Sequence, residues 1–234
     1  MAYKAIRNHP LVCSCTILIV FITSLVTIAQ FFYPELLHLL RRNPEKLASG
    51  EWWRLITPLL VHSDGWTQYV FNIVCITIIG FETERLYGKL NFLFLYFIGG
   101  FTGEIAGYLW EPYGAGASVG LCGLLGGLFV LLLSRTHLSK PFVSILSLYI
   151  IVGLISFALA NVYISIGLFA LVAILTAFIM KQAHAEKSLD YLSSIGGLIG
   201  GLVLFLNHDI HGAAILGGAF TACILLFIQT KTRH

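Results

Sequence analysis

The chain has 234 residues, of which 58% are hydrophobic and 11% are charged, and its formal net charge is +3. Soluble domains typically carry about 25% charged residues, so this composition excludes a soluble globular domain and indicates an integral membrane protein. The small positive charge forms no basic face and gives no indication of nucleic-acid binding. A chain of this length suffices for one polytopic unit, and we predict a single membrane domain over residues 1–234.

Eight apolar stretches approach the roughly 20 residues that a helix needs to cross a bilayer. They cover residues 11–33, 66–87, 91–110, 118–134, 142–160, 162–180, 191–207 and 210–229. The first stretch follows Lys4 and Arg7 and is longer than a signal-peptide core, so we interpret it as a retained helix. The fifth and sixth stretches meet at Asn161, which requires a tight turn. In the alternative, six-span arrangement, two of the late stretches are re-entrant or interfacial.

The placement of lysine and arginine predicts the orientation, because cytoplasmic loops carry an excess of both. With eight spans and an internal N-terminus, the four outer residues are Arg41, Arg42, Lys46 and Arg54. The ten inner residues are Lys4, Arg7, Arg85, Lys89, Arg135, Lys140, Lys181, Lys187, Lys231 and Arg233. We therefore predict both termini inside, with the stretches that start near Ser118 and His211 entering the membrane from the outer face.

The long segment between the first two stretches, residues 34–65, combines aromatic and apolar residues with few charges. Residues 55–61 are too apolar to lie in water, so we predict a segment that lies in the membrane interface. Trp52 and Trp53 would anchor it, and Arg54 would reach the lipid headgroups. The alternative is an ordinary extracellular loop.

Ser118 stands in the small-residue sequence "GAGASVG" where the fourth stretch begins. Serine is a weak nucleophile until a base takes its proton, and histidine is the usual base. His211 begins the last stretch and shares a small-residue face with Ala214 and Gly218. If this face packs against Gly120, Gly123 and Gly127, the two helix starts converge. The alternatives are a serine that serves only helix packing and a histidine exposed to water.

Other polar residues near the outer half offer supporting roles. Gln68 and Asn72 lie one turn apart and could stabilise an oxyanion or join helices through hydrogen bonds. We expect Glu104 to make a structural hydrogen bond to the stretch 66–87 or 118–134. His62, His208, Asp209 and His211 are a less favoured metal site, since they form no HExxH-type pair. The five cysteines form no CxxC pair, and we interpret them as small buried residues.

Several motifs, in order along the chain, resemble the rhomboid family of intramembrane serine proteases. They are "EWWRLITPLLVH" with Trp53 and Arg54, Asn72, "ETERLYG" with Glu84 and Gly88, "GASVGLCGLLGG" with Gly116, Ser118 and Gly123, and "HGAAILGG" with His211 and Gly218. The resemblance covers a core of residues 50–135 and 207–229, and it places additional helices within 141–207. It implies a rhomboid-like bundle of about eight transmembrane helices with an interfacial first loop.

The resemblance implies an intramembrane serine endopeptidase that cleaves transmembrane segments of other proteins with a Ser118–His211 dyad. Asn72, Gln68 and Gly116 would position the oxyanion and the substrate, while Trp53, Arg54, Glu84, Glu104, Gly123 and Gly218 would be structural. No metal or cofactor is expected. A multi-pass protein of this kind is expected in the cytoplasmic membrane if the source is bacterial.

The chain departs from the family pattern in three places. Gln68 replaces a histidine, Cys122 replaces an aromatic residue one turn after the serine, and about two additional spans separate the serine from the histidine. The alternative is therefore a catalytically inactive rhomboid-like protein that binds membrane segments. A small transporter is less favoured, because it would be expected to have paired charges in mid-membrane. By this interpretation of the sequence, Glu104 is the one charge there.

Overall fold

The computed structural model describes residues 13–134, 138 and 140–231. Within these ranges the chain forms ten α-helices and no strand. Two 3-10 turns, Trp52–Leu55 and Thr57–Leu60, precede the second long helix. The helices are α1 (Ser14–Phe32), α2 (Glu35–Leu40), α3 (Pro44–Ala48), α4 (Gly65–Tyr87), α5 (Lys89–Trp110), α6 (Ser118–Leu133), α7 (Pro141–Leu159), α8 (Val162–Ile179), α9 (Ala185–Leu206) and α10 (Ile210–Lys231).

The eight apolar stretches of the sequence coincide with the eight long helices. Six of these, α1, α5, α7, α8, α9 and α10, are long and apolar enough to cross a membrane. Helix α6 is apolar but has 16 residues, and α4 carries Glu82, Glu84 and Arg85 near its end. The predicted all-helical membrane architecture is confirmed. The predictions that concern Lys4, Arg7, Leu11, Arg135 and Arg233 lie outside the described residues.

Helix α9 begins at Ala185, six residues before the predicted start at 191, because polar residues of good helix propensity extend it. Asp190 in this first part is buried. Its carboxylate accepts hydrogen bonds from the hydroxyl of Ser144 at 2.6 Å and from the backbone N–H of Leu138 at 3.1 Å. These bonds join α9 to α7, so hydropathy alone placed the boundary too late.

Helix α6 is the centre of the bundle and packs against α4, α5, α9 and α10. Almost every side chain from Val119 to Leu132 is buried. Small residues allow helix backbones to approach closely in a membrane protein. The glycines of α6 therefore explain how a short helix can have close neighbours on several sides.

The glycines of α6 face two different helices. Gly126 faces α10, and Gly218 of α10 lies against the backbone carbonyl of Gly123. A Cβ atom on Gly123 itself, however, would meet the backbone of Leu95 and Gly99 on α5. Gly120 faces the ring of Tyr96 on α5. Gly127 likewise faces α5, through the side chain of Leu95. Gly120, Gly123 and Gly127 share one face of α6, as their spacing predicts, but the prediction that this face packs on α10 is wrong, because it lies against α5. The contact with α10 is made by Gly126 and by the backbone carbonyl of Gly123.

The connection between α7 and α8 is the tight turn that the sequence predicts. Ala160 adopts a left-handed backbone with φ of 47°. The side-chain oxygen of Asn161 then accepts hydrogen bonds from the backbone N–H groups of Tyr163 and Ile164, both at 3.1 Å. Helix α8 packs on α7 and, less extensively, on α9. It therefore lies at the periphery of the bundle.

The first loop has an exposed aromatic side and a buried arginine. Trp52 and Trp53 are 69% and 47% exposed, as an interfacial segment requires. Arg54 is buried and forms an ion pair with Glu51 at 2.6 Å. Its Nη1 also donates to the carbonyl oxygens of His38 and Arg41, at 2.9 and 2.8 Å. The prediction that Arg54 reaches the headgroups is wrong, because these partners occupy its donors inside the loop.

Glu84 fastens α1 to the end of α4. Its carboxylate accepts hydrogen bonds from the backbone N–H groups of Cys15 and Thr16, at 3.1 and 2.8 Å, and from the hydroxyl of Thr16 at 2.7 Å. A carboxylate is favourable at the N-terminus of a helix, where N–H groups lack partners. The structural role that the resemblance implies for Glu84 has this physical basis.

Candidate active site

Ser118 is the first residue of α6, and the loop before it is held by the first loop. The backbone N–H of Gly116 donates to the carbonyl oxygen of Pro58 at 3.0 Å. The carbonyl oxygen of Ala115 accepts from the hydroxyl of Ser63 at 3.0 Å and from the side-chain amide of Gln68 at 3.2 Å. These bonds fix the approach of the chain to Ser118.

His211, in the first turn of α10, is in hydrogen-bond contact with Ser118. The Oγ atom of Ser118 lies 2.9 Å from Nε2 of His211, although the residues are 93 positions apart in the sequence. Both residues are half-buried. The structure therefore brings together the serine and the histidine that the sequence singled out, as a consequence of the close packing of α6 on α10.

Asp209 lies on the other side of the histidine ring. Its Oδ1 atom is 2.7 Å from Nδ1 of His211 and accepts a hydrogen bond from the backbone N–H of His211 at 2.8 Å. Burial acts to raise the pKa of Asp209, but the hydrogen bonds and charge of His211 outweigh it and lower that pKa. The sequence places Asp209 only in a less favoured metal site and does not predict this contact. An aspartate just before a helix, two residues ahead of a histidine, was the available signal.

The other histidines that were considered as metal ligands have different surroundings. His62 is buried, with Nδ1 2.9 Å from the hydroxyl of Thr27. The ring of His208 packs edge-on against Trp110, with centroids 5.4 Å apart. Across the described ranges, no group of three or more His, Cys, Asp or Glu residues is arranged to hold a metal ion.

The cysteines are all free, and they differ in their surroundings. Cys75 and Cys122 are buried, Cys13 and Cys15 are half-buried, and Cys223 is exposed. The prediction that all five are buried is therefore wrong for three of them, because in a membrane protein an apolar stretch also has a face directed away from the bundle.

Asn72 and Gln68 present side-chain amides from α4, which packs against α6. Asn72 is buried, and its Nδ2 has no hydrogen-bond partner among the described residues. The Oε1 atom of Gln68 accepts from the backbone N–H of Asp64 at 3.0 Å. A Cβ atom added to Gly116 would lie 2.7 Å from Nε2 of Gln68 and 3.3 Å from the Oγ atom of Ser118. Gly116 thus leaves space in which the serine and the Gln68 amide lie close together.

Glu104 is paired with Arg42 of the first loop, for which the sequence predicts no partner. Nη1 of Arg42 lies 2.8 Å from Oε2 of Glu104, and both side chains are completely buried. Nε of Arg42 donates to the carbonyl oxygen of Glu111 at 2.9 Å. Gly107 of α5 provides the space, since a Cβ atom there would overlap the guanidinium. The prediction that Glu104 bonds to α4 or α6 is wrong, because the first loop supplies the donor.

The chain matches the rhomboid domain family over residues 49–208. The match includes Ser118 and ends three residues before His211. Because it covers more than half of the chain, this protein belongs to the rhomboid family. It is accordingly a member of a family of intramembrane serine proteases and an integral, multi-pass membrane protein.

Curated relatives carry the same family name. The chain is 33% identical over 181 residues to the rhomboid protease GluP of Bacillus subtilis, covering 77% of this chain and 31% of GluP. It is 36% identical over 150 residues to the putative rhomboid protease YdcA of the same organism, covering 60% of this chain and 73% of YdcA. A shorter match, 35% over 65 residues, is to the rhomboid protease AarA of Providencia stuartii. The chain thus spans about a third of GluP and about three quarters of YdcA.

Proposed function

We propose that this protein is an intramembrane serine endopeptidase in which Ser118 is the nucleophile and His211 is the general base. The observation that carries the proposal is the 2.9 Å contact between the Oγ atom of Ser118 and Nε2 of His211. A contact of this length allows direct proton transfer. Membership of a serine protease family supports the same assignment.

In the proposed reaction, Nε2 of His211 takes the hydroxyl proton as the Oγ atom of Ser118 attacks a peptide carbonyl carbon. The carbonyl oxygen becomes an oxyanion, which needs preorganised donors. We assign these donors to Asn72, Gln68 and the backbone N–H of Ser118. The free Nδ2 of Asn72 supports its assignment, because a buried donor without a partner is otherwise unfavourable.

The intermediate then collapses with cleavage of the C–N bond. His211 gives its proton to the leaving amine, and an acyl ester on Ser118 remains. A water molecule, deprotonated by His211, attacks the ester carbon. The bond between the acyl carbon and Oγ of Ser118 then breaks, the carboxylic acid product leaves, and His211 returns its proton to Oγ. The substrates are transmembrane segments of other proteins. Gly116 would leave space for an extended strand of substrate beside Ser118.

We propose that the site opens toward the outer face of the membrane and that both termini lie inside. Arg85 and Lys89 flank the turn between α4 and α5. Helix α5 runs from that turn to the loop before Ser118, so the basic turn and the serine lie at opposite ends of a spanning helix. The positive-inside tendency then assigns the basic turn to the cytoplasm.

Cleavage of a model single-span substrate by the purified protein in micelles tests the activity. We expect Ser118→Ala and His211→Ala to abolish cleavage, and a fluorophosphonate probe to label the protein only when Ser118 is present. Ser165→Ala is the matched control, because Ser165 also lies in the first turn of a helix but bonds to the carbonyl oxygen of Asn161 at 2.9 Å.

Retained cleavage in purified Ser118→Ala protein would overturn the proposed mechanism. A folded wild-type protein that is neither labelled nor active, but still binds the substrate segment, would instead support the inactive rhomboid-like alternative.

A further inference from the structure

Asp209 is fixed by the turn that joins α9 to α10. His208 adopts a left-handed backbone with φ of 58°, and the backbone N–H of Asp209 donates to the carbonyl oxygen of Leu204 at 3.0 Å. The carbonyl oxygen of Asp209 then accepts from the N–H of Gly212 at 3.1 Å, which begins α10. Gly212 lies directly against the backbone of Phe205. The turn is therefore closed on both sides, and the carboxylate has a defined position.

The contact between Asp209 and His211 determines which ring nitrogen carries the proton. An ionised carboxylate only accepts hydrogen bonds, so Nδ1 of His211 must be the donor at 2.7 Å. In the neutral imidazole the other nitrogen, Nε2, is then an acceptor. Nε2 faces the hydroxyl of Ser118. The carboxylate thus holds the base in the tautomer that can accept the serine proton.

We infer that Asp209 is a positioning residue that extends the Ser118–His211 pair to a three-residue chain. This inference rests on the proposed function. Asp209 acts through His211 and touches neither the substrate nor the reacting atoms. Its carboxylate orients the ring before the reaction and stabilises the imidazolium when Nε2 takes the serine proton. The proton on Nδ1 stays on the histidine throughout.

Other charged groups near the ring do not replace this carboxylate. Glu104 on α5 is bound to Arg42, and the carboxylate of Glu111 lies 3.7 Å from the same guanidinium. Asp209 is the group bonded directly to the imidazole. A change in the pH–rate profile must therefore be compared with the other ionisable groups around this pair. Glu104 and Glu111 interact electrostatically with His211, and Cys122 on α6 interacts with Asp209. Arg42 binds Glu104, and His208 precedes Asp209 in the turn.

The Asp209→Asn variant separates the electrostatic role from helix capping. Asparagine caps a helix about as well as aspartate does, so the fold and α10 are kept while the charge is removed. We expect kcat to fall by about 10²- to 10⁴-fold, with KM changed by less than about threefold, because the wrong tautomer and a less stable imidazolium affect the chemical step. The acidic limb of the pH–rate profile should move to lower pH.

Glu186→Gln is the matched control, since Glu186 is an exposed carboxylate in the first turn of α9 and should leave kcat unchanged. Asp209→Ser retains capping without the charge and should behave like Asp209→Asn. If wild-type cleavage depends on Ser118 but Asp209→Asn keeps the wild-type kcat and pH profile, the inference about Asp209 fails and the proposed function stands. If cleavage does not depend on Ser118, the proposed function itself fails.

A measurement on the wild-type protein does not depend on how the variants fold. With ¹⁵N-labelled histidine, NMR at pH 8 distinguishes the two neutral tautomers of the ring. We expect the proton of His211 on Nδ1 and a free Nε2. A ring protonated on Nε2 would overturn the inference.

Discussion

Gly218 of α10 lies so close to Gly123 of α6 that a Cβ atom added to Gly218 would overlap the carbonyl oxygen of Gly123. On its other side, Gly123 meets the backbone of Gly99 on α5. The backbones of three helices therefore meet at one level of the bundle, below Ser118. The spacing between α6 and α10, and with it the contact of Ser118 with His211, depends on the absence of side chains here.

The Gly218→Ala variant should lose stability and activity together. Backbone atoms cannot move aside as a flexible side chain can, so we expect a loss of about 1–3 kcal/mol in the free energy of unfolding. Thermal unfolding and cleavage assays in micelles measure both effects. Gly153→Ala on α7 is the control, because a Cβ atom there meets nothing within 4 Å. It should be neutral or stabilising by up to about 1 kcal/mol. Equal stability of the two variants would contradict this account.

The Asn72→Ala variant should lose activity without losing stability. If Asn72 holds the oxyanion, kcat should fall by about 10²- to 10³-fold. The melting temperature should not fall, because no described residue accepts a hydrogen bond from Nδ2 of Asn72. Asn91→Ala is the matched control, because Asn91 lies at the end of α5 that is far from Ser118. Its side chain donates to the carbonyl oxygen of Tyr87 at 3.0 Å. A kcat within threefold of wild type in Asn72→Ala protein would exclude this role.

Replacing one member of the Arg42–Glu104 pair should be worse than replacing both. Arg42→Met leaves a buried carboxylate without its cation, and we expect a loss of about 3–5 kcal/mol in the free energy of unfolding. Arg42→Met combined with Glu104→Gln should recover part of that loss. A double-mutant cycle measured by thermal or denaturant unfolding gives the coupling energy. Additive effects of the two changes would mean that the ion pair does not stabilise the fold.

Acid should destabilise the protein through His62. Burial lowers the pKa of His62 from 6.5 to about 4, so the unfolded chain binds the proton more readily. The contribution of neutral His62 to the free energy of unfolding is therefore full well above pH 6.5. It decreases as the pH falls from 6.5 toward 4, and it changes no further below that value. We expect a loss of about 1.5 kcal/mol between pH 8 and pH 5.5.

Thermal unfolding of wild-type protein and His62→Gln across this pH range isolates the contribution of His62. The variant should lack this part of the pH dependence, whereas His184→Gln, at an exposed position in the connection between α8 and α9, should keep it. The same slope in His62→Gln and wild-type protein would contradict the assignment to His62.

The spanning helices were predictable because apolar length is a local property of the sequence. The start of α9 was predicted too late, since residues 185–190 are polar in sequence while Asp190 acquires buried partners in the fold. The small residues that follow Ser118 and His211, together with the family motifs, were enough to propose that these two residues meet.

Long-range polar partners were not predictable in the same way. Arg42 and Glu104 are 62 residues apart, and nothing local in either segment identifies the other. Even the nearer partners of Arg54, which are Glu51, His38 and Arg41, and the contact of Asp209 with His211 depend on how the turns fold. The sequence identified the polar residues, but the tertiary structure determines which donor meets which acceptor.

The contact of Gly218 with Gly123 has a mechanical consequence. Helices α5, α6 and α10 are in backbone contact at that level, with no side chains between them, so we expect them to move as one rigid body. Separating Ser118 from His211 would require breaking this body apart. In the proposed protease, a gap wide enough to admit a polypeptide would therefore form by displacement of elements outside these three helices, and Ser118 and His211 would stay in contact.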